Sequence, residues 1–193
     1  MEDNTYNPEY QEIIANTISK ALAAHSRTLV IRCDLRFPQM HTSSESDSKA
    51  ITRFISSLKA KISADLKRKE KAWSRNLSCT LNYVWVREYG AMKGRKHYHV
   101  LLFLNKDVYH SLGDYQSTNA NLSLMIQSAW LSAIRVDHPD FYSLVHFGSY
   151  FYLDRNKGEI NFKIQEVMKC ADYLAKNVTK RYGDGERSIG SSL

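Results

Sequence analysis

His97 and His99 stand one residue apart in "HYH", at the mouth of the apolar run "VLLFL". Alternation along a strand puts both imidazoles on one face, about 7 Å apart, and Tyr98, Val100 and Leu102 on the other. Neutral imidazole is a common metal ligand, and two at this spacing can converge on one cation. The link "GAMKGRK" joins two strand-like runs into an antiparallel hairpin. A symmetric register centred inside "AMKG" sets Glu88 directly across from His97, within side-chain reach. Two histidines and one carboxylate leave coordination positions open for substrate or water, as a catalytic ion requires. Mixed ligation of this kind suits Mn2+ or Mg2+ as well as Zn2+. A surface hairpin with two histidines and a charge-paired glutamate uses the same residues, so the pattern alone leaves both readings open.

A second group of residues offers a nucleophile. In "FKIQEVMKCADYLAKNVTKRY" the spacing predicts a helix over about 161–182, with Ile164, Val167, Ala171, Leu174 and Val178 facing the core. Lys169, Tyr173, Lys176 and Lys180 form another stripe, so one tyrosine is set in a row of lysines. Basic surroundings favour phenolate, the form that attacks phosphorus. A tyrosine snorkelling at a helix edge among solubilising lysines has the same spacing.

The elements that must position these groups follow from periodicity. Asn7 and Pro8 open an amphipathic helix to about Ala24, and "TLVIRCDLRFP" is a strand stopped by Pro38. A helix from Lys49 to about Trp73 carries one apolar stripe and an outer face rich in lysine and arginine, read as solvated. "LSCTLNYVWVREYG" and "HYHVLLFLN" are the hairpin strands; a helix through Leu122–Ile134 and a strand within "FYSLVHFGSYFYLD" follow. The order α-β-α-β-β-α-β-α predicts an α+β fold, a two-layer, ferredoxin/RRM-like antiparallel central sheet covered by helices. One domain accounts for residues 1–193, with the N-terminal helix in 1–27, a catalytic core in 28–182 and an irregular tail in 183–193.

Composition narrows the partners. The net charge of +7 suits a polyanion such as nucleic acid, and simple solubility as well. No window reaches the roughly 18 apolar residues of a membrane span, and the acidic, polar start is unlike a secretory signal. Cys33, Cys79 and Cys170 lie far apart and read as buried thiols of a reducing cytosol. There is no GxxxxGK[ST] phosphate loop.

Taken together, "HYH", an upstream carboxylate and "YLAK" resemble the HUH endonuclease superfamily of rolling-circle replication initiators. More specifically, "RCDLRFP", "HYHVLLFLN", "FYLDRN" and "YLAKNVTKRYGDGERSIGSS" look like the inovirus and prophage replication-protein family that includes the YagK/YfjJ-type proteins. The resemblance implies metal-dependent nicking and joining of single-stranded DNA, or of a DNA hairpin, at an origin. Glu88, His97 and His99 would hold Mn2+ or Mg2+; Tyr173 would form a 5′-phosphotyrosine link; Lys176 would stabilise phosphoryl charge. Arg95, Lys96, Lys169 and Lys180 would be phosphate contacts, and the same residues read equally well as solvated charges. A host helicase and polymerase, and a bacterial cytoplasm, are the implied partners and compartment. Asp34, Arg187 and Ser191 recur in the family-like segments without an assigned role. Tyr6 and Tyr10 precede the motif, and Tyr10 falls on an apolar stripe. Two readings compete: a single-tyrosine transposase, and a non-catalytic nucleic-acid-binding module that stacks bases on Tyr83, Trp85 and Tyr98.

Overall fold

A computed structural model describes residues 6–38, 47–90, 94–114, 121–177 and 180–192. Most of the polar loop expected at 41–48, the hairpin residues 91–93 and Val178 lie outside them.

Helix α1 (Pro8–Ala24) begins as its sequence dictates: the Asn7 side chain accepts hydrogen bonds from the N–H groups of Glu9 and Tyr10, and Pro8 fills the first turn. Strand β1 (Arg27–Arg36) leads to the long α2 (Ala50–Trp73), then the hairpin β2 (Asn82–Tyr89) and β3 (Lys96–Asn105). Helix α3 (Leu122–Ile134), a 3-10 turn (Pro139–Leu144), β4 (Val145–Asp154) and α4 (Ile160–Ala175) follow, and a short β5 (Ile189–Ser191) closes the order.

The five strands form one antiparallel sheet in the order β4-β1-β3-β2-β5. From β1 to β4 the order is that of the ferredoxin-like β-α-β-β-α-β unit expected from the sequence. The unbroken apolar run of β3 is explained by its place: it is central and buried on both faces. One face carries Leu29, Ile31, Cys33, Trp85, Tyr98, Val100 and Leu102 against α2 and α3. The other carries Val30, Val84, Val86, Leu101 and Phe103 against Ile14 and Ile18 of α1 and Val167, Ala171 and Leu174 of α4. The α+β class is as expected, but the sheet has helices on both sides, because α1 and α4 cover the face that a two-layer fold leaves open.

Two boundaries differ from the sequence reading. Helix α4 ends at Ala175 rather than near Tyr182. The N-terminal segment caps that end: the Asn7 N–H donates to the Ala175 carbonyl at 2.8 Å, and Tyr6 makes a β-bridge with Lys176. The tail is not irregular, since Ile189, Gly190 and Ser191 pair with Val86, Trp85 and Val84 of β2. Gly190 is needed there, because a Cβ would lie 2.5 Å from the Trp85 ring.

The tail is anchored by charge as well. Arg87, fully buried, donates to both carboxylate oxygens of Asp184, to Glu186 and to the Arg181 carbonyl. Lys96 is buried too and donates to Glu186 at 2.6 Å. Trp85 and Tyr98 are core residues and Tyr83 is half-buried under Lys59, so the three do not form an open stacking platform.

Candidate metal centre and its tyrosine

The hairpin register sets Glu88 opposite His97 and Val86 opposite His99. On its other side β3 pairs with β1, which sets Asp34 opposite His99. Glu88, His97 and His99 offer one ligand atom each within 4.8 Å of one another. The two Nε2 atoms are 3.2 Å apart, and His99 Nε2 is 3.3 Å from Glu88 Oε2.

What turns the rings is a set of partners behind them. His97 Nδ1 lies 3.2 Å from the Arg95 carbonyl, and His99 Nδ1 lies 2.5 Å from Asp34 Oδ1. A proton on each Nδ1 serves those acceptors and leaves the two Nε2 atoms as acceptors, 3.2 Å apart, with Glu88 Oε2 beside that of His99. Three acceptors facing one point is a donor set that fits a divalent cation.

Burial and charge act against each other here. Glu88, only 1 % exposed, is pushed up by burial, yet the His99 hydrogen bond and the Lys180 ammonium outweigh this and bring its carboxyl to about 2. His99 is raised: burial opposes its charge, but the hydrogen bonds to Asp34 and Glu88 prevail. His97 is lowered by burial and then by the charge of His99. The carboxylates of Asp34 and Glu88 on either side of His99 thus favour its protonated form.

Lys180 is the largest departure from the sequence reading. It lies beyond α4, not on it, and its fully buried ammonium donates to Glu88 Oε1 at 2.5 Å. Lys96 is likewise consumed by Glu186. Neither is a surface phosphate contact; both are buried ion-pair partners. Lys169 stays exposed on α4 one turn before Tyr173, and Arg95 lines the cleft beside His97.

Tyr173, 42 % exposed near the C-terminal end of α4, meets the edge of the His99 ring at 5.3 Å between centroids. The Lys176 ammonium and the Arg32 guanidinium each lie 5.1 Å from its ring centre. The helix end places Lys176 there even though Lys176 itself is extended. Tyr10 is core and Tyr6 is exposed. The cleft at this end of the sheet has a volume of about 550 Å3, and Arg32, Asp34, Arg36, His97, His99 and Tyr173 line it.

Sequence reasoning missed Arg32 and Arg36 and gave Asp34 no role. The signal was "RCDLR", where alternate positions put Arg32, Asp34 and Arg36 on one face. That this face is the histidine face depends on β1 pairing with β3, a contact between distant segments.

The fold and site thus define an α+β sheet protein with a histidine–carboxylate cluster beside an exposed tyrosine. The YagK/YfjJ C-terminal domain family matches residues 1–192, and the chain belongs to that family. Among its relatives, the uncharacterized protein YagK of Escherichia coli (strain K12) is 34% identical over 193 residues, covering 95% of this chain and 92% of YagK. The uncharacterized protein YfjJ of the same strain is 36% identical over 196 residues, covering 95% of this chain and 93% of YfjJ. No solved structure gave a significant match. Among the described residues, no helix is long and apolar enough to cross a membrane.

Proposed function

We propose that the protein is an HUH-type endonuclease that nicks and rejoins single-stranded DNA, with Tyr173 as nucleophile and Glu88, His97 and His99 as the ligands of Mn2+ or Mg2+. The observation that carries this is the edge-to-face contact of Tyr173 with His99, a metal-ligand candidate, with two cations flanking the phenol ring. The bound ion would supply Lewis-acid polarisation of a non-bridging phosphate oxygen.

The chain's own residues do the rest. Tyr173 Oη bonds to phosphorus as the phosphorus–O3′ bond breaks; the phenol proton passes to solvent water, and the departing 3′ oxygen takes a proton from water, so no net proton is gained or lost. A 5′-phosphotyrosine link and a free 3′-hydroxyl result, and attack by that hydroxyl reverses the step and rejoins the strand. Lys176 and Arg32 offset the phosphoryl charge. Asp34 and the Arg95 carbonyl hold the imidazoles in the tautomer with free Nε2. A free 3′-hydroxyl primes synthesis, which fits initiation of rolling-circle replication of a phage or prophage element.

The test is a covalent adduct. Labelled single-stranded DNA from an element's origin, incubated with the protein and Mn2+, gives an adduct that survives a denaturing gel. It disappears on chelation and in Tyr173→Phe and persists in Tyr6→Phe. An adduct that persists in Tyr173→Phe and disappears in Tyr6→Phe moves the nucleophile to the tyrosine bridged to Lys176. No adduct or cleavage with any DNA removes the enzyme reading and leaves a binding module.

A further inference from the structure

Helix α2 carries a charge surplus that the cleft does not use. From Lys59 to Arg75 there are seven lysines and arginines against two carboxylates, a surplus of five in a chain whose net charge is +7. Both carboxylates are occupied. Asp65 is buried and held by Arg68, Lys69 and the Tyr109 hydroxyl, and Glu70 accepts from the Leu77 N–H. Lys59, Lys67, Lys71 and Arg75 are exposed and Lys61 is half-buried. The macrodipole draws cations to a helix's last turn and accounts for Lys71, but its effect fades within that turn and does not reach Lys59, Lys61 or Lys67. Lys67 and Lys71 are four apart on one face, away from the buried Leu58, Ile62 and Asp65.

This end of α2 is remote from the cleft. Lys69 donates to the Val108 carbonyl and Asp65 meets Tyr109, both just beyond the end of β3, whereas His97 lies at the start of β3. At about 3.3 Å per residue the two are roughly 25 Å apart, and α2 packs on the sheet face opposite the histidines.

The chemistry selects the partner. A single strand is gripped by successive bases stacked on aromatic rings, but the stretch 59–75 has one aromatic, Trp73, with Lys69 and Arg75 over its ring. Lysines spread along and around an exposed helix instead match the phosphates of a duplex, whose charge density rewards every neutralised phosphate. A helix about 10–12 Å across fits the B-DNA major groove of about 12 Å, whereas the deep, narrow groove of duplex RNA excludes it.

We infer that the C-terminal half of α2 is a docking surface for double-stranded DNA, read through its phosphates and separate from the cleft. The inference does not depend on nicking.

Fluorescence anisotropy with a blunt-ended DNA duplex of about two helical turns, repeated across salt concentrations, tests it on the full chain. The triple variant Lys67→Gln, Lys71→Gln, Arg75→Gln alters exposed side chains only, and an unchanged melting temperature certifies its fold. It should weaken duplex binding at least tenfold and lower the slope of log K against log salt by about 0.9 for each phosphate that is no longer neutralised. The pair His97→Ala, His99→Ala should bind the duplex like the unaltered protein. An unaltered protein that does not bind the duplex overturns the inference, as does an unchanged slope in the triple variant. A loss confined to single strands, or to phosphatidylserine vesicles, also overturns it and gives the surface to that ligand. Loss of duplex binding in the histidine pair returns the duplex to the cleft. Absence of nicking with the triple variant's defect intact leaves the docking surface standing while the proposed activity falls.

Discussion

Asp34 illustrates how a residue acquires a role only in three dimensions. Its carboxylate, 2.5 Å from His99 Nδ1, sets the tautomer of a ring whose Nε2 faces Glu88. Asp34→Asn keeps the shape and removes the charge, and Mn2+ affinity measured by calorimetry should fall about 10–100-fold; an unchanged affinity would mean that the imidazole orients itself. The same measurement has a predictable pH dependence. Asp34 and Glu88 hold His99 above the ordinary imidazole range despite its burial. The imidazolium is therefore favoured below that raised value, and a cation must displace its proton. Affinity for Mn2+ should fall as pH drops through the raised value, with proton uptake by the buffer on binding; pH-independent affinity would count against His99 as a ligand. Glu88 was legible from sequence because a hairpin register is local. Asp34 was not, since 65 positions separate it from His99 and nothing in either strand names the other.

At the scale of elements, the end of α4 governs the site's electrostatics. Extending the helical stripe past Ala175 puts Lys180 on the surface; the real chain leaves the helix, turns back and buries its ammonium on Glu88. Periodicity cannot see this, because no glycine or proline marks the end at Ala175, and the partner of its carbonyl is the Asn7 N–H from a distant segment. Lys180→Met removes one of the two partners of the buried Glu88 carboxylate, leaving it His99, and should cost up to about 3–5 kcal/mol in chemical denaturation. Combined with Glu88→Gln the loss should be much smaller, and a cycle with no coupling would show that the pair is not a unit. Helix and strand identities, by contrast, were readable nearly throughout, because each amphipathic stripe meets one sheet face.

Across the whole molecule, carboxylates held low by cationic partners are a common theme. Glu88 is lowered to about 2 by the His99 and Lys180 contacts that outweigh its burial, and Asp184 to about 2 chiefly by the Arg87 hydrogen bond. Asp65 is lowered too, its contacts with Lys69 and Arg68 overcoming burial. Folded values below the unfolded ones mean that stability is complete above the unfolded carboxylate range and is lost as pH falls through the folded values. Thermal melts should therefore hold steady down to about pH 5 and decline between about 4 and 2; a flat profile to pH 2 would show that these pairs add nothing. The sheet order was legible as a class because the alternation of elements admits few topologies, whereas the second covered face was not, since α1 and α4 come from opposite ends of the described chain.

The burial of Lys180 against Glu88 also bears on biosynthesis. β2 and β3 are synthesised well before residue 180, so Glu88 leaves the ribosome ahead of the lysine that pairs with it. Until residue 180 is made, His99 is the only one of the two partners of that carboxylate yet synthesised, and Arg87 and Lys96 still await Asp184 and Glu186. The candidate ligands Glu88, His97 and His99 thus leave the ribosome before the charges that balance them, and a nascent chain stalled before residue 180 lacks the lysine of the buried pair.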